Sequence, residues 1–268
     1  MEKGELIGKG RTAEIFAWGE REVLKLFFDW CPRRWVAEEA KVTGAVHDAG
    51  VPAPGIGDVV EVEGRAGIIF ERIEGPSMVH AVLSNPAEHV EMGRLMAELQ
   101  AGMHARAVPG LRPFRGALEG AIRRAKALPD DLKEAAVRAL ERLPNGQALC
   151  HGDLHPDNVI LSPRGPVILD WAAAVSGYPL ADVARTSLLL KGGQLPPDMP
   201  GREQIEAIRV GFYDAWLGRY LEINHASRED IEAWALPVAA ARVDEDIEEE
   251  QEGLLSLISA MAASGGAG

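Results

Sequence analysis

The sequence has few of the cysteines that cross-link small or exported proteins through disulfides or bound metals. Only two cysteines, Cys31 and Cys150, occur in 268 residues, and they lack the paired spacing of a zinc or redox motif. Because 47% of the residues are hydrophobic, a chain of this length can form a core without a metal or a disulfide. A reduced, cytoplasmic protein is therefore expected.

Long apolar runs and an excess of positive charge are also missing. Met1 is not followed by the basic start and apolar segment of a leader, and no run approaches the ~20 apolar residues that span a bilayer. The 28 Lys and Arg residues are outnumbered by 41 Asp and Glu residues, which gives a net charge of −13. That balance repels a phosphodiester backbone. We therefore expect neither a membrane nor a nucleic acid as a partner, whereas a cationic small substrate is compatible with the charge.

The first quarter of the chain has a strand-like pattern. Its short alternating or apolar runs are separated by glycine-containing turns and lie at residues 5–7, 13–18, 22–28, 58–62 and 67–70. One helix interrupts them, predicted to begin near Pro32 and to end at Gly50. This pattern predicts a small antiparallel sheet that carries a single helix.

The pattern changes after Gly75-Pro76, where we place the boundary between two lobes. Short strand-like runs remain only at residues 148–150, 159–161 and 167–169. Otherwise helices are predicted, the last broken at Pro237 or Gly253, and they lie at residues 86–106, 117–128, 131–143, 180–191, 203–223 and 227–260.

One loop between two apolar runs is dense in acids, imidazoles and an amide: His151-Gly-Asp153-Leu-His155-Pro-Asp-Asn158. The Asp153 carboxylate could accept the proton of a hydroxyl. Asn158 and the later Asp170 offer the oxygen ligands that a hard cation prefers. A base, an amide ligand and a carboxylate ligand are the groups needed to position a nucleotide–Mg²⁺ complex beside an alcohol. A hairpin with merely polar ends would not need these residue types.

A second interpretation of the same loop is a zinc-dependent hydrolase site. His151, Asp153 and His155 alternate along the chain, and imidazoles with a carboxylate suit zinc. Such a site needs further histidine ligands downstream, where His225 is the one histidine that the sequence contains.

Two features of the strand-rich region could contact a phosphate. The turn with Gly8 and Gly10 would let backbone N–H groups approach one, although such glycines often serve only to make a turn. Lys25 lies in an apolar run, and strand alternation places it on the face of Val23 and Phe27, so a buried ammonium would need an anion. Glu38 and Glu39 of the following helix are the candidates, and Glu39 is preferred by a narrow margin.

These motifs, in this order, resemble the aminoglycoside phosphotransferase and choline-kinase-like group of small-molecule kinases, relatives of protein kinases. The resemblance covers nearly the whole chain and is most specific at residues 151–158 and 168–171. It implies an α+β, bilobal protein-kinase-like fold, with a small antiparallel β-sheet N-lobe containing one helix and a larger, mainly helical C-lobe. Residues 1–73 would form the nucleotide-binding lobe, and residues 74–268 the catalytic and substrate-binding lobe.

The resemblance also implies roles for single residues, with ATP and Mg²⁺ as cofactors. Asp153 would be the catalytic base, while Asn158 and Asp170 would hold Mg²⁺. Lys25 would contact the α- and β-phosphates, and Glu39 would position Lys25.

Further residues would bind the nucleotide or support the loop. Gly8 and Gly10 would lie near the phosphates, and the backbone of the hinge at Phe70, Glu71 and Ile73 would meet the adenine. A second group would be structural and consists of His104, His151 and Asp182.

The acceptor is the least defined partner, and a small-molecule hydroxyl is expected. The acidic run 244–252 would suit a cationic aminoglycoside or amino alcohol, but an acidic run is usually a solvated face. The aromatic residues Trp171, Tyr213, Trp216, Tyr220 and Trp234 would suit a quaternary ammonium, but they also have core spacing. A nucleotide-binding pseudokinase remains an alternative. Monomer or dimer, ATP or GTP, and antibiotic resistance or metabolism all stay open.

Overall fold

A computed structural model describes residues 3–192 and 199–265 of the chain. By their contacts these residues divide into two units. The first contains the residues up to Ala81 and the segment Pro156–Ala173, and the second contains Val82–His155 and the described residues from Ala174 onward. The predicted boundary between residues 73 and 74 lies near the first of these breaks. The prediction did not anticipate that Pro156–Ala173 belongs with the N-terminal unit.

Strands dominate the first part of the chain, and helices dominate the rest. The strands are β1 (Leu6–Lys9), β2 (Ala13–Trp18), β3 (Glu22–Phe27), β4 (Ile56–Val62), β5 (Arg65–Glu71), β6 (Ala148–Cys150), β7 (Val159–Ser162), β8 (Gly165–Ile168) and β9 (Val175–Gly177). The helices are α1 (Arg33–Asp48), α2 (Met78–Ser84), α3 (His89–His104), α4 (Phe114–Arg124), α5 (Asp130–Glu141), α6 (Pro179–Lys191), α7 (Arg202–Asn224), α8 (Arg228–Glu232), α9 (Ala235–Arg242) and α10 (Glu248–Gly265).

The first unit is built on an antiparallel sheet with the strand order β1-β2-β3-β5-β4. Alternation along β3 gives the sheet two buried faces. Leu24 and Leu26 pack with Trp18 on one face, and Phe27 packs with Ile68 on the other. The predicted small antiparallel sheet is therefore confirmed.

Helix α1 covers the second of these faces. Pro32 precedes its first turn in an extended conformation, and Gly50 follows its end with φ of +72°, a backbone angle that glycine adopts without strain. Val36 belongs to the apolar cluster on the sheet. The buried face of the helix also contains one charged residue, Glu39.

The hairpin of β7 and β8 belongs to the first unit because it forms backbone hydrogen bonds with two loop segments of that unit. The Ile168 N–H donates to the Pro52 carbonyl at 2.7 Å, and the Leu161 N–H donates to the Pro76 carbonyl at 2.9 Å. Within the hairpin, Val159 pairs with Ile168. These hydrogen bonds explain why Pro156–Ala173 belongs with the N-terminal sheet.

Gly75 is a position where the fold requires glycine, and replacing it with Ala should destabilise the first unit. Its φ is +141°, and an added Cβ would lie 2.3 Å from the Leu161 backbone oxygen. We expect Gly75→Ala to cost about 3 kcal/mol, combining backbone strain with overpacking. Gly64→Ala is the matched control, because φ there is +79° and a Cβ would meet nothing within 4 Å. In urea unfolding, the control should lose about 1 kcal/mol of its free energy of unfolding. Equal losses of that free energy in both variants would contradict the steric argument.

The second unit is mainly helical. Helix α3 packs along α7 so closely that an added Cβ on Gly93 would lie 2.5 Å from the Phe212 carbonyl oxygen. Strands β6 and β9 form the short sheet that leads into the loop at His151. Every helix of the two described ranges, 3–192 and 199–265, is too short or too polar to cross a bilayer.

The helix predicted at residues 227–260 is wrong in its break points. It is divided into α8, α9 and α10, so that Pro237 and Gly253 both lie inside helices. Pro237 is tolerated because it stands in the first turn of α9, where a backbone N–H has no partner within the helix. A break occurs instead near Asp246, which has a left-handed φ of +53°. Helix α2 and strand β9 were not predicted at all.

Candidate active site

Lys25 is the centre of the polar cluster in the first unit. It lies on β3 opposite Ile15 and Ile68, on the face that α1 covers. Its Nζ lies 2.6 Å from Glu39 Oε1 and 3.1 Å from Asp170 Oδ1. The structure therefore places Glu39 beside the lysine, as preferred from the sequence, whereas Glu38 is exposed.

The charges of this cluster stabilise one another. Burial lowers the pKa of Lys25, but the carboxylates of Asp170 and Glu39 outweigh burial, so the pKa is raised and the ammonium stays charged. Burial also raises the pKa of Glu39, although the Lys25 charge opposes that shift. The Glu39 side chain is only 6% exposed, whereas that of Asp170 is 49% exposed. Glu39 thus holds the lysine from the buried side, and Asp170 meets it at the surface.

Asn158 and Asp170 lie at the same end of the β7–β8 hairpin. The Leu169 N–H donates to the Asn158 carbonyl at 2.8 Å, which holds the two segments together. Asp170 has φ of +57°, in the left-handed region that Asp enters more readily than most residues. The buried Trp171 indole beyond it donates to the Ile168 carbonyl at 2.9 Å. The amide oxygen of Asn158 and the carboxylate oxygens of Asp170 are the kind of ligands that suit Mg²⁺.

Gly8 lies within β1, where it pairs with Ile15, and Gly10 lies in the turn between β1 and β2. The Gly10 N–H donates to the Ala13 carbonyl at 2.9 Å, which closes the turn. Neither glycine has a positive φ. An added Cβ would lie 4.0 Å from Ile15 at Gly8 and 3.7 Å from the Ala13 oxygen at Gly10. Packing within the described residues therefore does not require glycine at either position.

This finding gives a direct test of the predicted phosphate contact. Gly10→Ala should change the free energy of unfolding by less than about 0.5 kcal/mol, because its Cβ meets no close neighbour. If the turn lies against the phosphates, the same methyl group should raise the KM for ATP several-fold. Steady-state kinetics at saturating acceptor measure this effect. An unchanged KM for ATP would leave the turn with a structural role only.

Hydrogen bonds within the protein already use most of the backbone N–H groups of the predicted hinge. The Glu71 N–H donates to the Gly55 carbonyl at 2.8 Å, and the Arg72 N–H donates to the Arg21 carbonyl at 2.9 Å. Phe70 is buried between paired strands. The Ile73 N–H has no hydrogen-bond partner within residues 3–192 and 199–265. Of the predicted hinge residues, Ile73 is thus the one with a backbone donor still available to a ligand.

The Glu71 side chain has a structural role within the same unit. It forms an ion pair with Arg164 and accepts a hydrogen bond from the Gly55 N–H at 3.1 Å. The hydrogen bond from Arg164 lowers the pKa of Glu71 against the opposing effect of burial. Glu71 thus fastens the end of β5 to the β7–β8 hairpin.

In the second unit, Asp153 is held by an arginine that the sequence analysis missed. The Nη2 atom of Arg185 lies 2.9 Å from Asp153 Oδ1, and the Arg185 Nε donates to the Gly152 carbonyl at 3.1 Å. The other Asp153 oxygen, Oδ2, lies 3.9 Å from Nε2 of His155. The one feature of the sequence that could have pointed to Arg185 is its charge within the largely apolar helix 179–191, one turn after Asp182.

Asp182 anchors the same loop from the first turn of α6. Its Oδ1 accepts the Gly152 N–H at 2.6 Å, and its Oδ2 lies 3.0 Å from His104 Nε2 and 3.1 Å from Gln100 Nε2. Burial alone would raise the pKa of Asp182, but the hydrogen bond and charge of His104 and the Gly152 N–H outweigh it, so the pKa is lowered. The carboxylate is thus charged and fully satisfied. His151 is fully buried, and its Nδ1 accepts the Asp153 N–H at 3.2 Å.

These positions argue against the zinc interpretation. His151 is fully buried, and its Nδ1 atom is engaged with the Asp153 N–H of the same loop. No group of three or more His, Cys, Asp and Glu residues within the described ranges is arranged to hold a metal.

The acidic C-terminal segment is partly neutralised by arginines. Asp244 pairs with Arg124 at 2.7 Å, Glu245 pairs with Arg185 at 2.6 Å, and Arg242 forms ion pairs with both Glu245 and Glu250. Its exposed carboxylates are those of Glu245, Asp246, Glu248, Glu249 and Glu252. The aromatic residues proposed for a quaternary ammonium are all in the core: Trp171, Tyr213, Trp216, Tyr220 and Trp234. Core packing therefore explains their spacing.

The small antiparallel sheet with one helix, the Lys25–Glu39 pair and the helical unit define a protein-kinase-like fold of the small-molecule kinase class. The sequence model of the phosphotransferase enzyme family matches residues 4–209, and the chain belongs to this family. The predicted fold class and family resemblance are both confirmed.

Solved structures share this fold over nearly the whole chain. A thermostable mutant of aminoglycoside phosphotransferase APH(4)-Ia, in a ternary complex with AMP-PNP and hygromycin B, has a TM-score of 0.66 and 17% identity, covering 100% of this chain and 96% of that chain. A choline/ethanolamine kinase family protein from Mesorhizobium loti has a TM-score of 0.55 and 17% identity, covering 97% of this chain and 88% of that chain. At such identities the likeness concerns the fold.

Acyl-CoA dehydrogenase family member 11 of Rattus norvegicus is 37% identical over 62 residues. These residues are 22% of this chain but only 8% of that protein. The chain therefore spans less than a tenth of the length of this curated relative.

Proposed function

We propose that the protein is an ATP- and Mg²⁺-dependent kinase that transfers the γ-phosphate to a hydroxyl of a small molecule. The observation that carries the proposal is the Lys25 cluster, in which one buried ammonium is held by Glu39 at 2.6 Å and meets Asp170 at 3.1 Å. A cation fixed between a buried and a half-exposed carboxylate is suited to a polyphosphate that binds with a divalent metal ion. The AMP-PNP complex of APH(4)-Ia supports nucleotide binding by this fold.

The groups of the first unit would bind the nucleotide. Lys25 would contact the α- and β-phosphates while Glu39 keeps its side chain extended, and the Ile73 N–H would donate to the adenine. Asn158 and Asp170 would hold Mg²⁺, whose charge would offset that of the phosphates. The Asp170 carboxylate would then be shared between the ammonium and the metal ion.

Asp153 of the second unit would act on the acceptor. With Arg185 bound at Oδ1, the acceptor hydroxyl would approach the same carboxylate. There it would be oriented for attack on the γ-phosphorus, and its proton would pass to the carboxylate. Asp153 and Asn158 are five residues apart along the chain, so base and metal ligand come from one short loop.

A cationic aminoglycoside or amino alcohol is the first acceptor class to test. The net charge of −13 favours a cation, and the related structures are described as an aminoglycoside phosphotransferase and a choline/ethanolamine kinase family protein. The exposed carboxylates of Glu248, Glu249 and Glu252 would attract an ammonium group.

The test is an ADP-release assay with purified protein, ATP and Mg²⁺ across aminoglycosides, macrolides, choline, ethanolamine and amino sugars. We expect ADP release that depends on at least one acceptor, with the phosphorylated product identified by mass spectrometry. A parallel calorimetric titration measures ATP binding. ATP binding without transfer to any acceptor would favour the pseudokinase alternative, and no ATP binding would overturn the proposal.

A further inference from the structure

Asp153 is the first member of a chain of alternating charges in the second unit. We call it the acid–base ladder, and it consists of Asp153, Arg185, Glu245, Arg242 and Glu250. Successive members are joined by ion pairs: Arg185 contacts both Asp153 and Glu245, and Arg242 contacts both Glu245 and Glu250. The side chains of Arg185 and Arg242 are only 10% and 9% exposed.

Arg185 fixes the Asp153 carboxylate relative to its own backbone. Its Nε binds the Gly152 carbonyl at 3.1 Å while its Nη2 binds Asp153 Oδ1 at 2.9 Å. Because the guanidinium is planar and rigid, its bond to the Gly152 carbonyl fixes the direction from which Nη2 reaches Oδ1 of Asp153. A lysine could provide only one of them at a time.

Glu245 fixes Arg185 in turn. Its Oε1 lies 2.6 Å from the same Nη2 atom that binds Asp153. Arg242 holds Glu245 and is itself bound by Glu250, with distances of 2.9 Å to each Glu250 oxygen. The position of the base is thereby connected to the segment between α9 and α10.

We propose that Arg185 is a positioning residue for Asp153, and that Glu245 orients Arg185, so that these two residues affect the rate of phosphate transfer rather than the affinity for nucleotide. This inference rests on the proposed function. A buried arginine with three partners could also serve stability alone. The two roles differ in what they change: positioning alters kcat through Asp153, whereas stability alters the amount of folded protein.

The test compares Arg185→Met with Arg242→Met, using the panel acceptor that is turned over fastest. Both variants remove a buried guanidinium of similar exposure, but Arg185 forms an ion pair with Asp153, whereas the ion pairs of Arg242 are with Glu245 and Glu250. We expect Arg185→Met to lower kcat about 100-fold, the scale of a 1 Å misplacement of a reacting group. The loss for Arg242→Met should be much smaller. The dissociation constant for ATP, measured by calorimetry, should stay within about twofold in both variants.

Three further variants keep the inference falsifiable if Arg185→Met does not fold. Arg185→Lys should recover part of kcat, and Glu245→Gln should lower kcat with little change in the KM for ATP. In an Asp153→Asn background, Arg185→Lys should cause no additional loss, because the carboxylate that it positions is already gone.

The outcomes separate this inference from the proposed function. Absence of transfer by the wild-type protein overturns both. Wild-type transfer together with an unchanged kcat in Arg185→Met and Glu245→Gln overturns the inference alone. Equal losses of kcat in Arg185→Met and Arg242→Met, or additive losses of kcat in the Asp153→Asn/Arg185→Lys double variant, would also overturn the inference, because such losses would not depend on the contact between Arg185 and Asp153.

Discussion

Asp153→Asn is expected to lower kcat about 1,000-fold, within the range that a general base contributes, while the dissociation constant for ATP stays nearly unchanged. The amide has the size of the carboxylate and can still accept a hydrogen bond from Arg185, but it cannot take the proton of the acceptor hydroxyl. The proposed nucleotide ligands belong to the first unit, whereas Asp153 belongs to the second. ADP release and calorimetric ATP titration measure the two quantities separately.

Asp157→Asn is the matched control for this variant. It removes the same charge from the same loop, and Asp157 is exposed. We expect its kcat to stay within a few-fold of the wild-type value. Turnover by Asp153→Asn within tenfold of the wild-type rate would remove Asp153 as the proposed base. Equal losses in both variants would point to the charge of the loop rather than to one carboxylate.

The fold of the first unit could be predicted because its signals are local. Alternation over six residues identifies β2 and β3, and Pro32 with Gly50 delimits α1. Strand alternation indicates that Lys25 needs an anion, and the helix offers Glu38 and Glu39, of which Glu39 is preferred only by a narrow margin; the structure shows the Lys25–Glu39 pair. Such reasoning works where each element shows its buried face in its own sequence.

The partners of Asp153 could not be predicted in this way. Arg185 is 32 residues from Asp153 along the chain, and no periodicity connects their side chains. The acidic run near Glu245 looked like a solvated face or a cation site because its sequence does not show that Arg185 and Arg242 pair with it. Long-range ion pairs depend on how helices pack, which composition and periodicity do not encode.

The assignment of Pro156–Ala173 to the first unit also depends on contacts between segments that are far apart in the sequence. Its two strands are predicted by short apolar runs, but the place of the hairpin depends on hydrogen bonds from Leu161 to Pro76 and from Ile168 to Pro52. Both bonds join segments that are far apart in the sequence. One consequence is that the proposed metal ligands Asn158 and Asp170 belong to the same unit as Lys25, while the proposed base belongs to the other unit.

Asp170→Asn is expected to lower kcat/KM for ATP about 1,000-fold and to raise the Mg²⁺ concentration needed for half-maximal activity. A metal ion is worth several kcal/mol to such a reaction, and the amide would give up the charged ligand while keeping the side chain's size. Asn tolerates the left-handed backbone that Asp170 adopts with φ of +57°, so the fold should persist. Activity measured against Mg²⁺ concentration at fixed ATP gives both quantities.

Asp58→Asn is the control, since Asp58 is an exposed acid of the same unit. Its Mg²⁺ requirement should match that of the wild-type protein, because it changes only the net charge. Asp170 also lies 3.1 Å from Lys25, so losing its charge would also change how the ammonium is held, without any metal ion. The Mg²⁺ titration separates these cases: loss of a ligand shifts the curve to higher Mg²⁺, whereas loss of the Lys25 contact lowers activity at every Mg²⁺ concentration. An unshifted curve for Asp170→Asn would remove Asp170 from the metal site and leave it as a partner of Lys25.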